Sequence, residues 1–163
     1  MNKGTVLWGL VVCLSAWPQS VTAQLVQCGI TANAVAFGAY DPLGTVPTNG
    51  TGDVQVSCRQ MGVGSLFVDY KILLSAGSSG SFVSRKMTSD EVQALHYNLF
   101  VDVSRSTVWG DGNSGTSVVS DRVHLTPGMQ TVTRNYPVYG RLFARQDVLA
   151  GMYSDAIIVT VNY

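Results

Sequence analysis

The sequence has little charge and no strong excess of either sign. Only 12% of its 163 residues are charged, and the formal net charge is zero. A soluble domain usually carries about 25% charged residues. The basic residues are scattered, with Arg85-Lys86 as the single adjacent pair, which argues against a nucleic-acid-binding surface. This composition fits an extracellular protein that packs against neighbours.

Residues for catalysis or metal binding are equally scarce. The two histidines, His96 and His124, lie in alternating strand-like segments, where a structural or surface role is the commoner one. The chain has no Gly-x-Ser-x-Gly elbow and neither Cys-x-x-Cys nor His-x-x-x-His spacing. Asp111-Gly-Asn113 lacks the further acidic ligands of a calcium loop. We therefore predict a non-enzyme with no metal, cofactor or small-molecule substrate.

The first 23 residues have the pattern of a secretory signal peptide. A positive charge at Lys3 precedes an apolar run from Val6 to Trp17, and small residues at Val21-Thr-Ala23 offer a cleavage site. The run is too short to span a membrane, since a spanning helix needs about 20 apolar residues. We expect cleavage after Ala23 and one exported domain, residues 24–163.

Export determines how the three cysteines are interpreted. Cys13 leaves with the signal peptide, and lipidation there is disfavoured because Val12 is too large for the position before a lipobox cysteine. Cys28 and Cys58 remain, and two cysteines in an exported chain usually pair. Closing a loop of about 30 residues would contribute roughly 3–4 kcal/mol in the chain-entropy model. The alternative is a pair of free thiols.

Short segments of alternating hydrophobicity, separated by turn residues, predict an all-β fold. They recur along the whole exported part, and no convincing amphipathic helix lies between them, so we predict a β-sandwich. The predicted strands are Ala34–Phe37, Asp53–Cys58, Phe67–Leu74, Leu95–Val103, Val118–Leu125, Tyr136–Phe143 and a C-terminal segment.

The C-terminal segment, Tyr153–Tyr163, is a strand signal that continues to the last residue of the sequence. Ile157, Val159, Val161 and Tyr163 alternate with mostly polar residues, so one face is apolar. If its second neighbour is not in this chain, the protein exposes an unpaired strand edge and an open core. Another polypeptide would then have to fill both.

Short motifs also follow one another in a characteristic order: Cys28-Gly-Ile30 with Val35–Pro42, Gly52–Cys58, Leu95-x-Tyr97-x-Leu99-Phe100, Trp109–Gly112 and Gly151-x-Tyr153-x-Asp155. In this order they resemble the spore coat protein U domain, which is shared with pilins of archaic chaperone–usher pili. The resemblance covers essentially all of residues 24–163.

The resemblance implies an incomplete immunoglobulin-like β-sandwich that lacks its last strand and is completed by a donor strand from a partner. The implied partners are a periplasmic chaperone, an outer-membrane usher and neighbouring pilin subunits, in a surface pilus used for attachment and biofilm formation. We expect the acceptor groove along Ile157, Val159, Val161 and Tyr163.

The expected N-terminus bears on the position in a fibre. A polymerising pilin of this type carries a long alternating donor segment ahead of its first cysteine. Cleavage after Ala23 leaves only Gln24–Gln27, and four residues reach at most about 13 Å. We therefore expect a tip or minor subunit that accepts a strand without donating one. Trp109 and the Ser78–Phe82 turn are its candidate surface contacts.

Three alternatives stay open. Cleavage after Ala16 would free Trp17–Gln27 as a donor, although Leu14 makes that site poorer. A secreted spore-coat or matrix protein outside any pilus would share the same sequence features. A small secreted enzyme is disfavoured, because the sequence offers no recognisable nucleophile, metal site or paired carboxylates.

Overall fold

A computed structural model of the protein describes residues 25–89, 93–128 and 131–163. The signal peptide and both candidate cleavage sites lie outside the described residues, so those expectations stay predictions. Within the described ranges the secondary structure is one short 3-10 helix, Gly77–Ser79, and eight strands: β1 Val26–Ala36, β2 Thr48–Gln60, β3 Leu66–Leu74, β4 Arg85–Thr88, β5 Ala94–Phe100, β6 Val119–Leu125, β7 Thr131–Leu142 and β8 Val159–Asn162. No described helix has the length and apolarity needed to cross a bilayer.

The strands form two antiparallel sheets that pack face to face as an immunoglobulin-like sandwich. One sheet has the order β1-β2-β7-β5-β4 and the other the order β6-β3-β8. The longest ladder joins β2 to β7, from Thr48 opposite Leu142 to Arg59 opposite Thr131. The predicted all-β, immunoglobulin-like class is confirmed, and the three-stranded sheet is the narrower of the two.

Period-two alternation places the core between the sheets. On β3, Val68, Tyr70, Ile72 and Leu74 are buried, whereas Phe67 on the opposite face is exposed. Inward residues of the five-stranded sheet meet them from the other side, because side chains on a strand point alternately to its two faces. The buried cluster also includes Val54, Val56, Cys58, Leu95, Tyr97, Leu99, Trp109, Val123, Leu125, Val138 and Leu142.

The predicted disulfide is present. Cys28 on β1 lies directly opposite Cys58 on β2, and their sulfur atoms are bonded. The bond therefore joins β1, one of the two edge strands of the five-stranded sheet, to its neighbour β2.

Several strand bounds differ from the sequence prediction, and three of the differences concern whole strands or the candidate site. β1 begins at Val26, well before the predicted Ala34, although its first residues already alternate between apolar and mostly polar side chains. The sequence does not predict β4, since one of its two inward positions carries Arg85 in place of an apolar residue. The C-terminal segment forms a ladder only over Val159–Asn162, preceded by an isolated bridge between Ser154 and Thr88.

Two glycines make room for the end of β1. A Cβ on Gly140 would lie 2.6 Å from Val35 Cγ1 and 2.7 Å from Phe37 Cζ, and a Cβ on Gly50 would lie 3.0 Å from each of the same two side chains. A larger residue at either glycine would push these side chains away from the sheet. The glycines therefore let Val35 and Phe37 pack closely onto β2 and β7.

Candidate functional site

Two sheet edges frame one opening of the sandwich. In the part of the chain that the structure describes, β8 pairs only with β3, and β1 pairs only with β2. One edge strand belongs to each sheet, and an apolar cavity of about 300 Å³ lies between them. We call this cavity and its two flanking strands the lateral groove.

The β8 wall follows the predicted alternation. Ile157, Val159 and Val161 are half-buried and pack against the core, whereas Ile158 and Thr160 are exposed. Ile157 and Val159 line the cavity itself.

The other two predicted groove residues lie farther along the chain and do not line this cavity. Val161 packs against the core, opposite Ile72 on β3. Tyr163 is 52% exposed and lines a polar depression with Asp69 and Asn162. Their role in a groove stays a prediction.

The β1 wall was missed by the sequence reasoning. Cys28, Ile30 and Ala32 share the inward face of β1, and Ile30 is 40% exposed although it is apolar. A register irregularity between Asn33 and Ala36 then turns Val35 into the cavity. The alternation of Val26, Cys28, Ile30 and Ala32 with Gln27, Gly29, Thr31 and Asn33 is the signal that could have found this wall.

The floor of the cavity is apolar and its charged lining is acidic. The floor consists of side chains from four strands: Val54 on β2, Leu74 on β3, Leu99 on β5 and Val138 on β7. Asp53 and Asp155 are the carboxylates in the lining, which contains no described Lys or Arg. The groove thus offers mainly apolar contacts plus the backbone groups of two strand edges.

Asp155 is held by specific hydrogen bonds. Its carboxylate accepts from the Tyr97 hydroxyl at 2.8 Å and from the Ser78 backbone N–H at 2.9 Å. Gly77 lies so close that a Cβ there would meet Asp155 Oδ2 at 2.1 Å. Burial, followed by the hydrogen bond to Asp155, raises the pKa of Tyr97 above its usual value, so the phenol stays a donor. These contacts fix the start of the β8 wall.

The segment between Asp155 and β8 is attached to Ser75, the residue that directly follows β3. Ser75 donates its backbone N–H to the Ile158 carbonyl at 2.9 Å, and its hydroxyl accepts the Ile158 N–H at 2.9 Å. The regular ladder between β3 and β8 starts only at Leu74 opposite Val159. A serine side chain therefore replaces one rung of the ladder along the groove.

The expectation that Trp109 is a surface contact is wrong. The side chain is 0% exposed and belongs to the hydrophobic core. Its indole Nε1–H donates to the Ile72 carbonyl at 3.0 Å, because a buried indole must find an acceptor. The surrounding Gly-rich loop suggested exposure, yet Trp109 bridges the two sheets.

Replacing Trp109 with phenylalanine should therefore lower stability and leave surface binding unchanged in the folded fraction. The substitution removes the donor to the Ile72 carbonyl and part of the packed volume, at a cost of about 1–3 kcal/mol. Urea denaturation measures this loss. A stable variant that has lost surface attachment would contradict the buried, structural role.

The described histidines have ordinary partners. His96 Nδ1 lies 2.9 Å from the Ser84 hydroxyl, and the His124 ring stacks on Phe67 with centroids 4.5 Å apart. In the described ranges no three His, Cys, Asp or Glu side chains are grouped to hold a metal ion.

Comparison with known families finds one that matches most of this chain. A family model described as the Spore Coat Protein U domain matches residues 16–160. Protein U of Myxococcus xanthus is 28% identical over 141 residues, which cover 83% of this chain and 74% of that protein.

Among solved structures, this chain matches one chain of the CsuC–CsuE chaperone–tip adhesion subunit pre-assembly complex, from the archaic chaperone–usher Csu pili of Acinetobacter baumannii. The TM-score is 0.51 at 22% sequence identity. The match covers 85% of this chain but only 40% of the solved chain, so it supports the fold and says nothing more specific.

Proposed function

Because the chain belongs to the Spore Coat Protein U domain family, we propose that it is a structural subunit of a chaperone–usher surface pilus. In this proposal the lateral groove accepts an extended strand from another polypeptide. A periplasmic chaperone supplies that strand first, an outer-membrane usher receives the complex, and a neighbouring subunit replaces the chaperone. The resulting pilus serves surface attachment and biofilm formation.

One observation carries the proposal: each sheet ends in an edge strand at the same apolar cavity. An exposed strand edge presents unpaired backbone N–H and C=O groups, which template the addition of a further strand. Val35 on one wall and Val159 on the other line the same apolar cavity, and soluble proteins rarely leave contiguous apolar surface uncovered. A strand inserted between β8 and β1 would meet both needs.

The proposed position is the tip or a minor site. β1 begins at Val26, which pairs with Gln60, so residues from Val26 onward belong to the protein's own sheet. A donor segment must therefore precede Val26, and the predicted cleavage after Ala23 leaves too few residues for one. Cleavage after Ala16 would instead supply a donor, and mass spectrometry of the mature N-terminus distinguishes the two.

The family description favours a second candidate function, a structural protein of a secreted coat or matrix. The similarity to Protein U is consistent with it. In that case the lateral groove would still need an occupant, but no usher would be required. Deleting a linked usher gene should then leave surface deposition unchanged, whereas a pilus subunit should disappear from the cell surface.

Strand acceptance can be tested directly with a synthetic peptide of alternating threonine and valine, long enough to lie along Ser154–Asn162. We expect the peptide to raise the melting temperature of the exported protein, because a ligand of the folded state adds about 2.7 kcal/mol at 100 times its Kd. The matched control is the same peptide with a central proline, which removes a backbone donor and disrupts strand pairing.

The peptide experiment also distinguishes a strand acceptor from a sandwich that is complete without an added strand. A protein that is monomeric and highly stable without any added strand, and indifferent to both peptides, would overturn the acceptor function.

A further inference from the structure

Arg85 is a fully buried cation next to the lateral groove. Its side chain is 0% exposed. The two ion pairs found among the described residues, Arg122–Asp69 and Arg134–Asp121, do not include it. The guanidinium instead donates to three oxygen acceptors and lies 5.2 Å from the centroid of the Phe82 ring. A buried charge is costly unless hydrogen bonds satisfy it, so the identity of these acceptors matters.

The three acceptors lie on different parts of the chain. Arg85 Nε and Nη2 both donate to the Ser75 carbonyl, at 3.1 and 2.8 Å. Nη2 also donates to the Trp109 carbonyl at 2.7 Å, and Nη1 donates to Asn98 Oδ1 at 2.6 Å. Arginine presents five N–H donors in a rigid planar fork, and lysine cannot reproduce this pattern from one nitrogen.

One of these acceptors is the residue that attaches the β8 wall to β3. Ser75 accepts Arg85 through its carbonyl, while its backbone N–H and its hydroxyl bind the backbone of Ile158. Residues 155–158 lie outside the β3–β8 ladder, and Ser75 is the point where Ile158 is attached. The position of this wall therefore depends on how firmly Ser75 is held.

A second connection reaches the same wall from its other end. Arg85 lies opposite Tyr97 in the β4–β5 ladder, so both side chains point to the same face. The Tyr97 hydroxyl donates to Asp155, which begins the wall. Burial lowers the pKa of the Arg85 guanidinium, and the charge of Asp155 opposes that shift.

We propose that Arg85 is a positioning residue of the lateral groove: by fixing Ser75 it holds residues 155–158 in a strand-accepting geometry before any strand arrives. This inference rests on the proposed acceptor function. The buried polar cluster does more than stabilise the fold, because it preorganises one wall of the site, and preorganisation reduces the ordering cost of binding.

Hydrogen exchange on the exported protein tests the positioning role without any ligand. In an Arg85→Lys variant, exchange at the Ile158 amide should rise roughly tenfold relative to amides of the β2–β7 ladder. In the wild-type protein, opening of this segment also breaks the hydrogen bonds of Arg85, and the variant lacks that free-energy cost. The control is Val123→Ala, a core truncation on β6, which should raise exchange in the β2–β7 ladder through global unfolding and should not raise exchange at Ile158 selectively.

Two further variants sharpen the test. Ser75→Ala removes the acceptor of the Ile158 N–H and should raise Ile158 exchange by a similar factor. Exchange at Ile158 in the double variant should be little faster than in either single variant, because both substitutions break the same connection from Arg85 through Ser75 to Ile158. Uniform exchange across the protein in Arg85→Lys, or fully additive effects in the double variant, would overturn the inference.

Strand binding supplies the second readout. The alternating threonine–valine peptide should associate roughly tenfold more slowly with Arg85→Lys than with Val123→Ala, under conditions in which the two variants have the same free energy of unfolding. Equal association rates would overturn the inference while leaving the acceptor function intact. If wild type binds no peptide, the acceptor function fails, and the exchange pattern at Ile158 still decides whether Arg85 positions this wall.

Discussion

Replacing Val159 with aspartate is expected to abolish strand acceptance, whereas the same change at Thr160 leaves it nearly intact. Val159 lines the cavity and its side chain points inward, while Thr160 is exposed on the opposite face of β8. An unpaired carboxylate in an apolar groove costs several kcal/mol, so peptide affinity should fall by roughly 100-fold or more. Titration of each variant with the threonine–valine peptide measures the difference.

The Val159 result needs a check that the groove itself is still folded. A peptide with lysine in place of the valine that faces Val159 should recover part of the affinity for Val159→Asp and lose affinity for wild type. Such a charge swap requires an intact site. If the original peptide binds Val159→Asp and Thr160→Asp equally well, the lateral groove is not the surface that binds it.

The largest effect on stability is expected from removal of the disulfide. The bond closes a loop with a sequence separation of 30 residues. Replacing Cys28 and Cys58 with serine should cost roughly 3–4 kcal/mol, because the unfolded chain regains the entropy of that loop. Native proteins have only about 5–15 kcal/mol of stability in total, so the yield of folded protein should fall strongly.

Chemical denaturation with and without reductant measures this effect. Reduced wild-type protein should match the double serine variant, and the variant itself should be insensitive to reductant. Two alkylatable thiols in natively purified protein would contradict the structural role of the bond.

The sequence was sufficient for those parts of the fold that depend on local alternation. The alternation of Ile157, Val159 and Val161 with more polar residues predicts a half-buried strand, and the structure confirms that these three side chains share the inward face. The pairing of Cys28 with Cys58 also follows from export and an even cysteine count, without knowledge of the strand register.

The remaining parts depend on contacts between residues distant in sequence. The alternation around Ile30 could predict a strand, but only the pairing of β1 with β2 at the edge of the five-stranded sheet makes it a wall of the groove. Trp109 sits in a glycine-rich loop, yet the path of that loop across the sandwich buries it. Arg85 appears as one of a basic pair in the sequence, and only tertiary structure places its guanidinium among carbonyls.

The cross-strand disulfide also has a mechanical consequence. A strand at the edge of a sheet, pulled from its end, would peel away one hydrogen-bonded rung at a time. Cys28 is the third residue of β1, so a tensile load entering at Val26 meets a covalent link almost at once. That link passes the load to β2, which is bonded along its length to both β1 and β7. Force on this end of the domain is thereby converted from unzipping of one strand into shear across the sheet.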